Sequence, residues 1–259
     1  MTWIHQGAQR LSRLMTGLEG LLAQKSLVCL YCGNAHNHRE KLPLCKRCWE
    51  AIPWILQVEC PVCGRYESCP DCARREETWF AQNRSAVRYD EQMKEWLAQY
   101  KYRGQEKLSA LLGHMLLHAY HLHRNPSIQP NAKTSPVTEV LTFVPLSDQR
   151  YAERGFNQAK QMAFELGRLA NLPVIPLLRR TRHTDKQSFK ARAERLDDLV
   201  GVFELDSVNG ERLGQASRDR RIRIYIIDDV YTTGSTLNEC ARTIKSAITA
   251  EVCGISWAR

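Results

Sequence analysis

The chain has 259 residues, 43% hydrophobic and 25% charged, the composition of an ordinary soluble globular protein with room for one large domain or a medium domain and a small appendage. Its formal charge of +9 favours an anionic partner, either a nucleic acid or a polyphosphate metabolite, because a positive field concentrates such ligands. No apolar run approaches the roughly 18 residues of a membrane span and no apolar core follows a basic start as in a signal peptide, so a cytoplasmic chain is expected.

In chain order, residues 1–27 come first. Leu11, Leu14, Met15, Leu18, Leu21 and Leu22 recur at helical spacing, which predicts an amphipathic helix docked on the body. Residues 28–75 then carry four C-x2-C pairs, CLYC (Cys29, Cys32), CKRC (Cys45, Cys48), CPVC (Cys60, Cys63) and CPDC (Cys69, Cys72). A C-x2-C turn sets two sulfurs on one side of a knuckle, and reduced thiolates in tetrahedral sets suit Zn(II) at about 2.3 Å. Two structural zinc ions are expected, and the metal would supply folding energy that so small and polar a segment lacks. Sequential pairing of the sets closes the shorter loops, with interleaved pairing open. Cys240 and Cys253 stand among apolar neighbours and read as buried core thiols.

From residue 80 to 259 the pattern is that of an α/β domain. A strand near Ser85 to Tyr89 precedes helices from about Glu91 to Tyr100 and Glu106 to His121; His114, His118 and His121 share a helical face, but no neighbouring cysteine or carboxylate completes a metal set. The Pro/Asn/Ser-rich stretch HRNPSIQPNAKTSPVTE reads as a loop. Beyond it come strand Val140 to Pro145, helix Gly155 to Ala170, a strand around Val174 to Leu177, a long basic stretch, strands Gly201 to Leu205 and Ile222 to Ile227, helix Thr236 to Ala250 and strand Glu251 to Trp257. Strands alternating with helices predict a mostly parallel sheet covered on both faces, with ligands at the carboxyl ends of the strands.

One such end is the stretch IYIIDDVYTTGST, Ile224 to Thr236. Between a strand and a helix N-terminus, backbone N–H groups, the hydroxyls of Thr232, Thr233, Ser235 and Thr236, and the helix dipole can converge on one phosphate, with Gly234 allowing the tight backbone. Asp228 and Asp229 can accept hydrogen bonds from adjacent sugar hydroxyls or from waters on Mg(II). A phosphate beside a diol describes a ribose 5-phosphate. A Walker-type nucleotide loop is the weaker rival, because it requires a lysine that is missing here.

This stretch resembles the phosphoribosyl pyrophosphate (PRPP) motif of type I phosphoribosyltransferases. The cysteine pairs, KYRG (Lys101 to Gly104), the block VPLSDQRYAERGFNQAKQMA and QSFKARAERLDDLVGVF narrow the resemblance to the ComF family, from whose pattern the chain departs at Phe189, Lys190 and Asp198. The resemblance implies a type I phosphoribosyltransferase fold behind a double zinc ribbon. It implies that Asp228 and Asp229 bind the ribose hydroxyls of PRPP and Thr232 to Thr236 its 5-phosphate. Val144, Pro145, Leu146, Ser147 and Asp148 would form the turn facing pyrophosphate, with Arg150 and Arg154 supplying positive charge, and Gln187 and Arg195 would lie on a loop closing over substrate. It further implies Mg(II) with PRPP and a role in natural transformation, with single-stranded DNA and proteins of the DNA-uptake machinery as partners. RDRRIR, Arg218 to Arg223, is compatible with phosphate contacts. Two readings stand side by side, a transferase with an unassigned acceptor and a protein that binds nucleic acid or senses PRPP without transfer.

Overall fold

A computed structural model describes residues 27–36, 42–73, 75, 77–102, 108–124, 137–181 and 200–259. All but Leu27 of the amphipathic helix expected over residues 1–27 lies outside them. The chain divides into two compact units, Met1–Glu50 and Ala51–Arg259, and the division falls between the second and third C-x2-C pairs.

In the first unit, β1 (Leu27–Val28) and β2 (Ala35–His36) pair antiparallel around the CLYC knuckle, where Gly33 N–H donates to the Cys29 carbonyl at 2.9 Å. Helix α1 (Lys46–Glu50) carries Cys48.

The second unit is built on a four-stranded parallel sheet in the order β3 (Gln82–Val87), β8 (Glu251–Ala258), β7 (Ile222–Val230), β4 (Thr138–Phe143). Helices α3 (Glu91–Tyr102) and α4 (Leu108–Arg124) follow β3, α5 (Asp148–Arg154) and α6 (Gln158–Ala170) follow β4, and α8 (Ser235–Lys245) joins β7 to β8. The two faces can be read off β7, because successive side chains of a strand alternate. Ile222, Ile224 and Ile226 enter the core that holds Leu237, Cys240, Ala241 and Ile244 of α8. Tyr225 points the other way, edge-on to Tyr120 and His123 of α4. Cys240 and Cys253 are fully buried, as expected of core thiols.

Strand β3 begins three residues earlier than the sequence pattern suggests, because its first residues, Gln82, Asn83, Arg84 and Ser85, are polar yet buried. The segment that carries CPVC explains this. Asn83 N–H donates to the Val62 carbonyl, Ile55 N–H to Ala86 O, and Arg84 Nη1 to Pro61 O at 2.9 Å, so the outer edge of β3 is covered and these groups find partners. A short helix, α2 (Pro70–Ala73), holds the CPDC pair.

Three expectations need correction. The helix expected over Gly155–Ala170 begins at Gln158, where Asn157 caps α6 by accepting from Lys160 N–H at 3.0 Å, and an unpredicted helix, α5, precedes it and ends where Gly155 takes φ +77°. The strand expected at Val174–Leu177 reduces to one parallel bridge, Leu141 to Val174, because Pro173 and Pro176 have no N–H to give a ladder. The strand over Gly201–Leu205 is β6 (Phe203–Leu205), which pairs antiparallel with β5 (Leu178–Arg180) in a separate ribbon. A helix the sequence pattern did not predict, α7 (Ser207–Asp219), follows it. Two glycines and only two large aliphatic residues, Val208 and Leu213, blur its period, yet Asp206 caps it by accepting from Asn209 N–H at 2.9 Å. Gly210 lets the Leu205 side chain lie where a Cβ would stand, 2.4 Å away.

Candidate functional site

Asp228 and Asp229 are the seventh and eighth residues of β7, so they alternate across the sheet like the residues before them. Asp229 shares the parity of Tyr225 and is ion-paired with Lys101 Nζ from the last turn of α3. Asp228 shares the parity of Ile224 and Ile226, on the α8 side, and its Oδ1 accepts from Asp229 N–H at 2.8 Å. The two carboxyls therefore sit in different fields. Burial and the adjacent Asp229 charge push Asp228 up, to about 8. Burial also acts to raise Asp229, but the Lys101 charge and hydrogen bond outweigh it and hold the group below the usual carboxylate range. A charged acceptor and a proton-holding acid thus stand side by side.

The turn from β4 to α5 lies next to this pair, since Val144 N–H donates to the Ile227 carbonyl at 3.0 Å. Val144, Pro145 and Ser147 are buried, Leu146 half-buried and Asp148 exposed. Ser147 caps α5, and Asn157 Nδ2 donates to the Val144 carbonyl at 3.1 Å, fixing the turn from behind. Arg150 lies close enough to lower Asp228, and Arg154 to lower Asp229. Arg154 also donates to the Tyr102 hydroxyl at 3.1 Å and to Gln158 Oε1 at 2.8 Å, which aims its guanidinium. Lys101, Arg150 and Arg154 surround two acids with positive charge, an arrangement suited to an anion bridged to a diol or a hydrated cation.

Beyond β7, Thr232 is exposed, Thr233 and Thr236 half-buried, and Gly234 and Ser235 buried. Gly234, which has no side chain to cap with, precedes α8 with φ +80°, and the Thr233 hydroxyl accepts from Ser235 N–H at 3.4 Å. The Thr233 and Ser235 hydroxyls lie 2.7 Å apart. The first amides of α8 and these hydroxyls can serve one phosphate.

Gln187 and Arg195 lie outside the described residues. The sequence pattern assigns no role to Lys101 of KYRG, nor to Arg75, Tyr231 and Arg259, yet Lys101 meets Asp229 and both arginines reach Tyr231. Arg223, grouped with the exposed basic run, is instead paired with Glu251 at 2.8 Å and Glu139 at 3.5 Å, while Arg218, Arg220 and Arg221 are exposed. Of the histidines on α4, His118 donates to the Ile55 carbonyl at 2.7 Å and His114 faces the Ala110 carbonyl at 2.7 Å.

Among the described residues, the groups able to hold a metal are Cys29/Cys32/Cys45/Cys48 and Cys60/Cys63/Cys69/Cys72, the sequential sets, each with its sulfurs within 4.8 Å of one another. Four thiolates about 2.3 Å from one ion lie about 3.8 Å apart. Cys32 and Cys45 are separated by 3.8 Å and Cys63 and Cys69 by 3.3 Å, so both sets fit a tetrahedral metal. No helix among the described residues is long and apolar enough to cross a membrane.

No protein-family model matches the chain. Among solved structures, the allosteric regulatory enzyme of purine biosynthesis aligns over 68% of this chain and 31% of its own, with 14% identity and a TM-score of 0.32. The DNA utilization protein YhgH of Escherichia coli is 28% identical over 193 residues, 71% of this chain and 77% of its own. Competence protein ComFC of Bacillus subtilis is 31% identical over 238 residues, 84% of this chain and 88% of its own, and with that identity and coverage the chain belongs to the ComFC family of competence proteins.

Proposed function

We propose that this chain binds PRPP with Mg(II) at the end of β7 and transfers its phosphoribosyl group to a nitrogen acceptor, in the service of DNA uptake. The observation that carries the reading is the succession of two differently charged carboxyls, a hydroxyl-rich turn and a glycine at φ +80° on one strand-to-helix connection. In this reading Asp229, held ionised by Lys101, accepts from a ribose hydroxyl, and Asp228 takes the other. Thr232 to Thr236 donate to the 5-phosphate, and Arg150 and Arg154 draw the pyrophosphate toward the Val144–Asp148 turn. Mg(II) would neutralise charge on the pyrophosphate. As the nitrogen bonds to the anomeric carbon, the carbon–oxygen bond to pyrophosphate breaks and its electron pair leaves with pyrophosphate. The ionised Asp229 counters the positive charge that develops on the sugar.

The two thiolate sets hold zinc in this reading, as the closed four-sulfur geometry prefers. In this reading they form a double ribbon over residues 28–75 ahead of a phosphoribosyltransferase domain over 80–259, and the need for reduced thiolates supports a cytoplasmic location. The names of the relatives, competence and DNA utilization, support the DNA role. Exposed Arg218, Arg220 and Arg221 favour a second reading, in which the chain also grips single-stranded DNA.

Calorimetric titration with PRPP and Mg(II), with and without single-stranded DNA, tests both. Binding that needs Mg(II) and is lost in Asp228→Asn and Asp229→Asn is expected; unchanged binding in both variants overturns the site. Affinity for DNA should fall steeply with salt, and a flat dependence removes the second reading.

A further inference from the structure

The Cys60/Cys63/Cys69/Cys72 set and the phosphate loop belong to the same unit and meet on one side chain, Tyr231, which is buried immediately before the loop. Two arginines reach it from the cysteine set by separate routes. Arg75 follows Cys72 by three residues, and its backbone N–H faces the Cys72 carbonyl at 3.4 Å. Its Nη2 donates to the Tyr231 hydroxyl at 3.2 Å and to the backbone carbonyl of Thr233, inside the loop. Arg259, directly after β8, donates from Nη1 to the Cys63 carbonyl at 3.0 Å and turns Nη2 toward Cys69 Sγ at 3.9 Å. The same guanidinium lies over the Tyr231 ring, 4.5 Å from its centroid.

The space around the loop is closed by these groups. A Cβ on Gly234 would stand 2.1 Å from the Tyr231 hydroxyl and 2.7 Å from Arg75 Nη2. Beyond Arg75 the chain runs along the start of α8, where Asn238 accepts from Trp79 N–H at 2.7 Å and donates to the Glu77 carbonyl at 3.2 Å. Arginine contacts to thiolates and to knuckle carbonyls are the outer contacts that orient a metal's ligands. Here the same guanidiniums also hold Tyr231 and a loop carbonyl.

We propose that Arg75, Tyr231 and Arg259 are positioning residues that tie the second thiolate set to the phosphate loop, so that metal on the cysteines and a sugar phosphate on the loop each tighten the binding of the other. The ligand side of this coupling rests on the reading of the loop as a 5-phosphate site. With the thiolates gathered on a metal, Arg75 and Arg259 are anchored and the loop amides are held in place; with the metal gone, the knuckle that carries Arg75 loses its constraint. Coupling of this kind is reciprocal.

The test follows release of zinc from the loaded full-length chain to a chromogenic chelator, the two phases being assigned with Cys29→Ser, which weakens the first set. Without ligand, Arg75→Gln and Tyr231→Leu should speed release from the second set about tenfold and leave the first set unchanged. Tyr231→Phe, which keeps the ring on Arg259 but loses the hydroxyl, should act in the same direction by about two- to threefold and covers the case in which the larger changes unfold the chain. In wild type, saturating PRPP with Mg(II) should slow the second phase about fivefold, and Tyr231→Leu should abolish that protection, with inorganic pyrophosphate as the control for chelation. Equal second-phase rates in wild type and all three variants overturn the tie. If PRPP fails to bind wild type in the calorimeter, the ligand reading falls, and the ligand-free rates still decide whether the arginines and Tyr231 hold the metal set.

Discussion

Lys101 Nζ at the end of α3 is ion-paired with Asp229 near the end of β7, with 15% and 20% of the two side chains exposed. A pair this sheltered is poorly screened, and removing one partner strands the other charge. Lys101→Met should lower the unfolding free energy by about 1–3 kcal/mol, and adding Asp229→Asn should recover part of the loss. Urea unfolding of the two single variants and the double variant checks this; strict additivity contradicts the pairing.

Asp228 is the strained member of the acid pair. Its folded-state pKa, raised to about 8 from 3.8, means that the folded chain holds this proton more tightly than the unfolded chain. The corresponding stability is complete below the unfolded value and is lost as pH rises through about 8. Asp228→Asn removes this loss, so the variant should exceed wild type in stability at pH 8.5, by about 1–3 kcal/mol, and the gap should close toward pH 4. Unfolding curves at the two pH values give the sign, and the same variant should fail to bind PRPP.

Gly234→Ala places a methyl group in a left-handed backbone and against Tyr231. The strain should cost about 1–3 kcal/mol and displace the loop, with PRPP affinity falling more than about tenfold. Thermal unfolding and calorimetry on one preparation measure both effects; normal affinity would mean that the loop does not contact the phosphate.

His123 is buried on α4, and its Nε2 donates to the Gly254 carbonyl at 2.8 Å. Burial, helped by the Arg84 charge, lowers its pKa to about 3. The depressed value means that the folded chain resists protonation, so stability is complete above pH 6.5 and falls as pH drops toward 3, by up to about 1.4 kcal/mol per pH unit. Because Asp228 contributes the opposite slope over this range, the His123 effect is read as a difference: from pH 6.5 to 5, wild type should lose stability relative to His123→Gln, by up to about 1.4 kcal/mol per pH unit.

Much of this was legible in the chain itself. The alternation of strands and helices predicted a mostly parallel covered sheet, and C-x2-C spacing predicted the metal sets, because local turn geometry brings such sulfurs together whatever surrounds them. IYIIDDVYTTGST marked the strand end and the loop, since carboxylates after an apolar strand fall at a sheet's carboxyl edge. That the strand runs on to Val230, so that Asp228 and Asp229 alternate across the sheet, came only with the structure.

Tertiary structure alone decided the rest. Lys101 lies 128 residues before Asp229, and Arg75 and Arg259 converge on Tyr231 from opposite ends of the unit. No pattern in sequence encodes such meetings, because long polar side chains are aimed by packing and not by period. The buried polar strand β3 is the same lesson reversed: Gln82 to Ser85 look unsuited to a core until the cysteine-bearing segment meets Asn83 and Arg84, and Ser256 of β8 meets Asn83 and Ser85.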